Sequence, residues 1–141
     1  MSYAVVFWVR GEVSILKLNL DCVRDILLTV ESNDFGVHMS FNKLCEKLPK
    51  YKSEEIHYCC LKLSEANLLQ VVTISVIRNN MPSIKIIKDL TYPGHEFLAD
   101  IKSDNVWTKI KSIALNVGSF SIHAIKEIAV SVTSDIIKSH L

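Results

Sequence analysis

The stretch "LTYPGHEFLADI", Leu90 to Ile101, joins a β-branched run to a long amphipathic tail, and its reading decides the fold. Thr91 offers a hydroxyl as a helix N-cap, and Pro93 falls in a first turn, where its missing N–H removes no helical hydrogen bond. Gly94 lets the backbone pass close to a neighbouring element. The stretch therefore predicts a strand that hands over to a helix, with Leu90, Phe97, Leu98 and Ile101 turned toward the core.

Upstream, "VVTISVI" (71–77) and "IKIIK" (84–88) are β-like and are separated by "RNNMPS". Asn79 and Asn80 tolerate left-handed backbone and Pro82 ends pairing, so a hairpin is predicted. Before it, Ser40 is expected to cap a helix over "FNKLCEKL" with Phe41, Leu44, Cys45 and Leu48 inward, stopped by Pro49. After the turn "PKYK", Ser53 is expected to cap a helix with Glu54 and Glu55 in its positive first turn and Ile56, Cys59, Cys60 and Leu63 inward. Earlier still, Leu20, Val23, Leu27 and Val30 recur with helical spacing behind an Asn19 cap, and "NDFGVH" reads as a loop with room for a short strand.

Two short helices joined by a brief turn, followed directly by a hairpin, are the elements of a winged helix-turn-helix. The fold class expected over residues 16–101 is thus α+β, a winged helix-turn-helix of three helices plus a β-hairpin wing. Two additional C-terminal helices follow within 102–141. Ser103 or Asp104 caps the first, with Val106, Trp107, Ile110, Ile113, Ala114 and Val117 inward and Gly118 closing it. Ser121 caps the second, with Ile122, Ile125, Ile128, Ala129, Val132, Ile136 and Ile137 along one side. That stripe is broad enough to be either a core element or the face of a homodimer.

Residues 1–15 stand apart. "YAVVFWVRGEVSI" has strand-like content around a turn-like Arg10-Gly11, which suits a small hairpin. Arg-Gly-Glu is also encodable by a purine-rich string resembling a ribosome-binding site just ahead of Leu16, so an extension created by start-site choice is the second expectation. Tyr3 to Val9 is too short to span a bilayer and lacks the flanks of a secretory signal, which points to the cytoplasm.

The chain of 141 residues carries 16 Lys+Arg against 15 Asp+Glu, a formal net charge of +1. Indiscriminate coating of nucleic acid is excluded by that balance, so any DNA binding must come from a local patch. The residues expected to form it are Lys43, Lys47, Lys50 and Lys52 on the second helix and the following turn, His57 and Lys62 on or near the helix offered to base edges, and Arg78, Asn79 and Asn80 at the wing tip. Glu54, Glu55 and Glu65 oppose phosphate approach there.

Neither a catalytic site nor a bound metal or cofactor is expected. His95-Glu96 begins a zinc-protease signature, but position 99 is Ala, so the second ligand is missing. His57 and Cys60 lack a second ligand pair. The four cysteines, Cys22, Cys45, Cys59 and Cys60, read as reduced buried or half-buried thiols. Glycines occur only at 11, 36, 94 and 118, too scattered for a phosphate loop.

"LTYPGHEFL" resembles the Leu-Thr-x-x-Gly-x-x-x-Leu signature at the strand-to-helix junction of bacterial winged-helix regulators of the multiple-antibiotic-resistance and phenolic-acid-repressor kind. From Leu16 onward the chain also resembles a bacterial and prophage-associated family, domain of unknown function 2513. "LKLNLDCVRDILLTVE", "YKSEEIHYCCLKLSEANLL" and "LTYPGHEFLADIKSDNVWTKIK" carry that likeness, with His95-Glu96-Phe97 and Asp104-x-Val106-Trp107 the most specific parts. The family more often has a Gly within 59–67, where this chain has Asn67, a residue that also accepts the left-handed cap. The resemblance implies a winged helix and assigns no activity. A phage- or mobile-element-related transcriptional regulator bound to double-stranded DNA is the preferred expectation, and a protein-binding module of the same fold, an antirepressor or accessory factor acting on a host or phage protein, is its rival.

Overall fold

The computed structural model describes residues 18–75 and 82–141 in full and 6–9 and 12–15 by their backbone. Strands β1 (Val6–Val9) and β2 (Glu12–Ile15) pair antiparallel with Val6 opposite Ile15. What their side chains touch lies outside the described residues.

Helix α1 (Leu20–Glu31) starts where Asn19 turns extended and its side chain accepts the backbone N–H of Cys22. Its buried face, Cys22, Val23, Ile26, Leu27 and Val30, is the centre of the molecule. A short strand β3 (Met39–Ser40) follows, then α2 (Phe41–Lys47), whose N-cap Ser40 accepts from the N–H of Lys43. Helix α3 (Ser53–Glu65) buries Ile56, Cys59, Cys60, Leu61 and Leu63. Ser53 is its first helical residue and not its cap. Lys52 takes the extended cap conformation, φ −72° and ψ 150°, and supplies no side-chain hydrogen bond.

The chain leaves α3 through Asn67, the non-glycine residue with positive φ (60°) among those described. It enters β4 (Leu69–Ile74), two residues earlier than the β-branched run begins, and returns along β5 (Ser83–Leu90). The sheet has three antiparallel strands in the order β3-β5-β4. Met39 lies opposite Ile87, and Leu69 opposite Leu90. Register shifts at Gln70/Val71 and Val72/Thr73 twist the outer strand β4, which discourages pairing by a foreign strand.

At the end of β5, Thr91 does two jobs. Its hydroxyl donates to the carbonyl of Asn67 at 2.6 Å and accepts the N–H of Gly94 at 3.0 Å, capping α4 (Tyr92–Ile101). Gly94 is buried against the backbone of Leu68, with no room for a side chain. The start of β4 and the start of α4 are thereby clamped together.

Helices α5 (Asp104–Val117) and α6 (Ile122–Ser139) complete the chain, with a left-handed Gly118 (φ 77°) closing α5 and the Ser121 side chain capping α6. Trp107, Ile110, Ala114, Ile125, Ala129 and Val132 face inward; burying each of the isoleucines and the valine is worth roughly 1.5–3 kcal/mol relative to exposure. Two expected inward residues do not follow. Val117 is 67% exposed because α5 overhangs its support at the last turn, and Ile137 is 56% exposed because it lies a quarter-turn beyond the buried stripe. The described residues thus form an α+β fold of six helices with one three-stranded sheet and one two-stranded pair.

Candidate nucleic-acid interface

The cations singled out in the sequence gather on α2, on the turn after it, and on the outward side of α3. Lys43 is exposed and stands 3.8 Å from Glu46, one turn along α2. Lys47 ends that helix and is exposed. In the turn, the Lys50 ammonium lies 3.8 Å from Asp25 and 5.2 Å from the Tyr51 ring centre. Lys52 is exposed at the α3 N-cap. Among the described residues, neither Lys47 nor Lys52 has a carboxylate within 4.0 Å. They are the cations of this region most available to a phosphate, since an internal ion pair must be loosened before Lys43, Lys50 or Lys62 engages one.

Tyr51 holds the turn down. Its hydroxyl donates to Asp25 Oδ2 at 2.6 Å, and burial together with that carboxylate raises the phenol's pKa above its ordinary value. Asn19 reaches across from α1 and donates to Glu55 at 2.6 Å, occupying one of the two first-turn carboxylates of α3. Glu54 stays exposed beside Lys52.

His57 is half-buried and serves the fold more directly than a sequence reading suggests. Its Nε2 accepts the backbone N–H of Ile84 at 3.2 Å, while Phe41 meets the ring edge-on at 5.5 Å. Burial lowers its pKa, and an acceptor Nε2 requires the neutral ring. His57 therefore ties α3 to the hairpin. Lys62 bonds Glu65 at 3.0 Å and lies 5.4 Å from the Tyr58 ring centre. Arg78, Asn79 and Asn80 lie outside the described residues. On β5, Lys85 and Lys88 are exposed and add two cations to the hairpin. They were missed because the run reads simply as a strand, although the alternation of Lys with buried Ile84 and Ile87 was visible in it.

Phe97, Asp104 and Trp107 of the most specific motifs are architectural, whereas His95 and Glu96 are exposed on α4. Trp107 Nε1 donates to Asp21 Oδ1 at 2.9 Å, and Lys111 reaches the same oxygen at 3.0 Å. Partial burial raises the Asp21 pKa, but these two hydrogen bonds outweigh it and hold the carboxyl below its usual value. Arg24, with its side chain 13% exposed, donates Nε to the carbonyl of Ile101 at 3.0 Å and Nη2 to the carbonyl of Lys102 at 2.6 Å and to Asp104 at 2.8 Å. One guanidinium thus satisfies the open end of α4 and anchors the start of α5. Lys102 bonds Glu31 at 2.6 Å. The polar side of α1 holds the other helices in place.

Cys22, Cys59 and Cys60 are buried and Cys45 is half-buried; burial pushes the thiols of Cys60 and Cys45 up, away from the reactive thiolate. No group of three or more metal-ligating side chains is close enough to hold an ion among the described residues. No helix among them is long and apolar enough to cross a membrane.

The small antiparallel sheet packs against α1, α2 and α3, with cations at the turn between α2 and α3, and the class this defines is an α+β protein. The chain belongs to the family described as "Hypothetical protein (DUF2513)", whose model matches residues 17–121. It is also 32% identical over 126 residues to a Haemophilus influenzae (strain ATCC 51907 / DSM 11121 / KW20 / Rd) protein described as "Uncharacterized protein", a likeness covering 86% of this chain and 99% of that one. No solved structure matches the chain.

Proposed function

We propose that the protein is a winged-helix DNA-binding protein that acts as a transcriptional regulator, of the kind carried by phages and mobile elements. The observation that supports this best is topological. The order α1-β3-α2-α3-β4-β5, with β5 central in the sheet, is consistent with the order expected when a helix-turn-helix is followed by a wing. In this reading α3 enters the major groove, Lys47, Lys50 and Lys52 grip phosphates at the turn, and Lys85 and Lys88 grip them along the wing. Lys43 and Lys62 exchange their glutamates for phosphates, and His57 sets the angle between helix and wing.

Fluorescence anisotropy on a labelled random-sequence duplex over a salt series tests the assignment. The triple variant Lys47→Glu, Lys50→Glu, Lys52→Glu is expected to lower the salt slope by about 2–3, since each lost phosphate contact removes roughly 0.9. A slope and affinity equal to wild type would overturn the placement of the interface. The acidic first turn of α3, with Glu54 exposed, supports a second reading as a protein-binding module of the same fold. A defined protein partner retained after nuclease treatment, with no duplex binding by the pure chain, selects that reading instead.

A further inference from the structure

We infer that α6 pairs with α6 of a second copy of this chain, antiparallel, across a two-fold axis passing beside Ser134. The inference goes beyond the DNA reading and does not rest on it.

Val130 and Ile137 are 55% and 56% exposed, on the same helix whose other side buries Ile125, Ala129 and Val132. Seven residues are two helical turns, so the two aliphatic side chains lie on one line facing away from the body. Ser134 falls between them on the same side, and its small side chain lets a second backbone approach closely. On one edge of this ridge Thr133 is half-buried on the side toward Asp100 of α4, so that edge is already partly covered. The other edge carries Glu127 toward the start of the helix and Lys138 in its last turn. Glu127 is 71% exposed and its only described partner is His123, at 3.1 Å.

These positions choose the direction of pairing. In an antiparallel pair, like edges face one another. Val130 then packs on Ile137 of the partner subunit, Ser134 meets Ser134 of the partner subunit, and Glu127 comes within reach of Lys138 of the partner subunit, each contact made twice. A parallel pair sets Glu127 against Lys126 of the partner subunit but leaves Lys138 facing the edge that carries Thr133, so only the antiparallel pair engages both charges of the open edge. The antiparallel direction is the one in which Glu127 and Lys138 are both matched. Because each copy brings two aliphatic side chains, the association is weak and belongs at the small end of protein interfaces.

Sedimentation velocity on the full chain without nucleic acid, over a series reaching high micromolar concentration, reads the result. Wild type is expected to pass from monomer to dimer. Glu127→Lys and Lys138→Glu should each weaken association several-fold, and the double exchange Glu127→Lys, Lys138→Glu should restore it, while Ile137→Lys should weaken it about tenfold or more. All three positions are exposed, so unchanged circular-dichroism melts will show that the fold is intact. A wild-type chain that stays monomeric throughout overturns the inference and leaves the ridge to another partner. A double exchange no better than its single parents overturns the antiparallel register, and undiminished dimerisation of Ile137→Lys places the contact elsewhere.

Discussion

Replacing Gly94 by alanine isolates the clamp between β4 and α4. A Cβ on Gly94 falls more than an ångström inside van der Waals contact with the carbonyl oxygen of Leu68, 3.0 Å from its carbon and 3.2 Å from Thr91 Oγ1. The Leu68 carbonyl cannot swing away freely. It accepts the N–H of Thr91 at 3.2 Å, and the Leu68 N–H is itself held by Leu63 at 2.9 Å. Forcing an extra methyl group into a packed site costs typically 1–3 kcal/mol, and a stretched hydrogen bond adds about 1. A backbone oxygen that close calls for the upper end of that range, and the better helix propensity of alanine returns at most about 1, so the net destabilisation is about 3 kcal/mol. For a chain of this size that is a fall of roughly 10 °C in Tm, read by a circular-dichroism melt. Gly36→Ala is the control: its φ is +80° but nothing lies within 4 Å of the added carbon, so it should cost only about 1 kcal/mol of backbone strain. If Gly94→Ala melts no lower than Gly36→Ala, the close-approach argument is wrong.

Thr91→Val removes both the bond to Asn67 and the cap on Gly94 while keeping the shape, and a loss of about 2 kcal/mol is expected in urea unfolding; a loss below half of that would show the cap to be replaceable. Arg24→Met leaves the carbonyls of Ile101 and Lys102 without their donor, and the expected result is about 2–3 kcal/mol of destabilisation together with faster amide exchange where α4 meets α5. Burial holds His57 below the ordinary value of 6.5, so the folded state binds a proton less readily than the unfolded one. The stability this contributes is full above 6.5 and is lost as pH falls from there through the folded value; His57→Gln should flatten that part of the stability-pH curve, and an unchanged slope would refute the tie to Ile84.

The local signals were readable from the chain alone. Asn19, Ser40, Thr91 and Ser121 cap helices through bonds spanning three residues, and Gly118 closes α5 within its own turn, so a short window contains everything that determines them. Ser53 misled because Lys52, next to it, takes the extended cap geometry without offering an acceptor. The tertiary bonds were hidden for a different reason. Arg24 meets Ile101 across 77 residues, and Asp21 meets Trp107 across 86, with no periodicity linking them. In the candidate site, the cations stood out by residue type, but their pairing did not. That Lys50 faces Asp25 and His57 serves Ile84 depends on how α1 and β5 pack, which composition leaves open.

Arg24 and Asp25 are joined by a single peptide bond, yet Arg24 reaches toward the junction of α4 and α5 and Asp25 toward the turn before α3. Helix α1 is accordingly a shaft with a coupling at each hand. Two neighbouring residues of one helical turn thus fix both the α4–α5 junction and the turn before α3, so the two sides of the molecule take their positions from the same short stretch of α1.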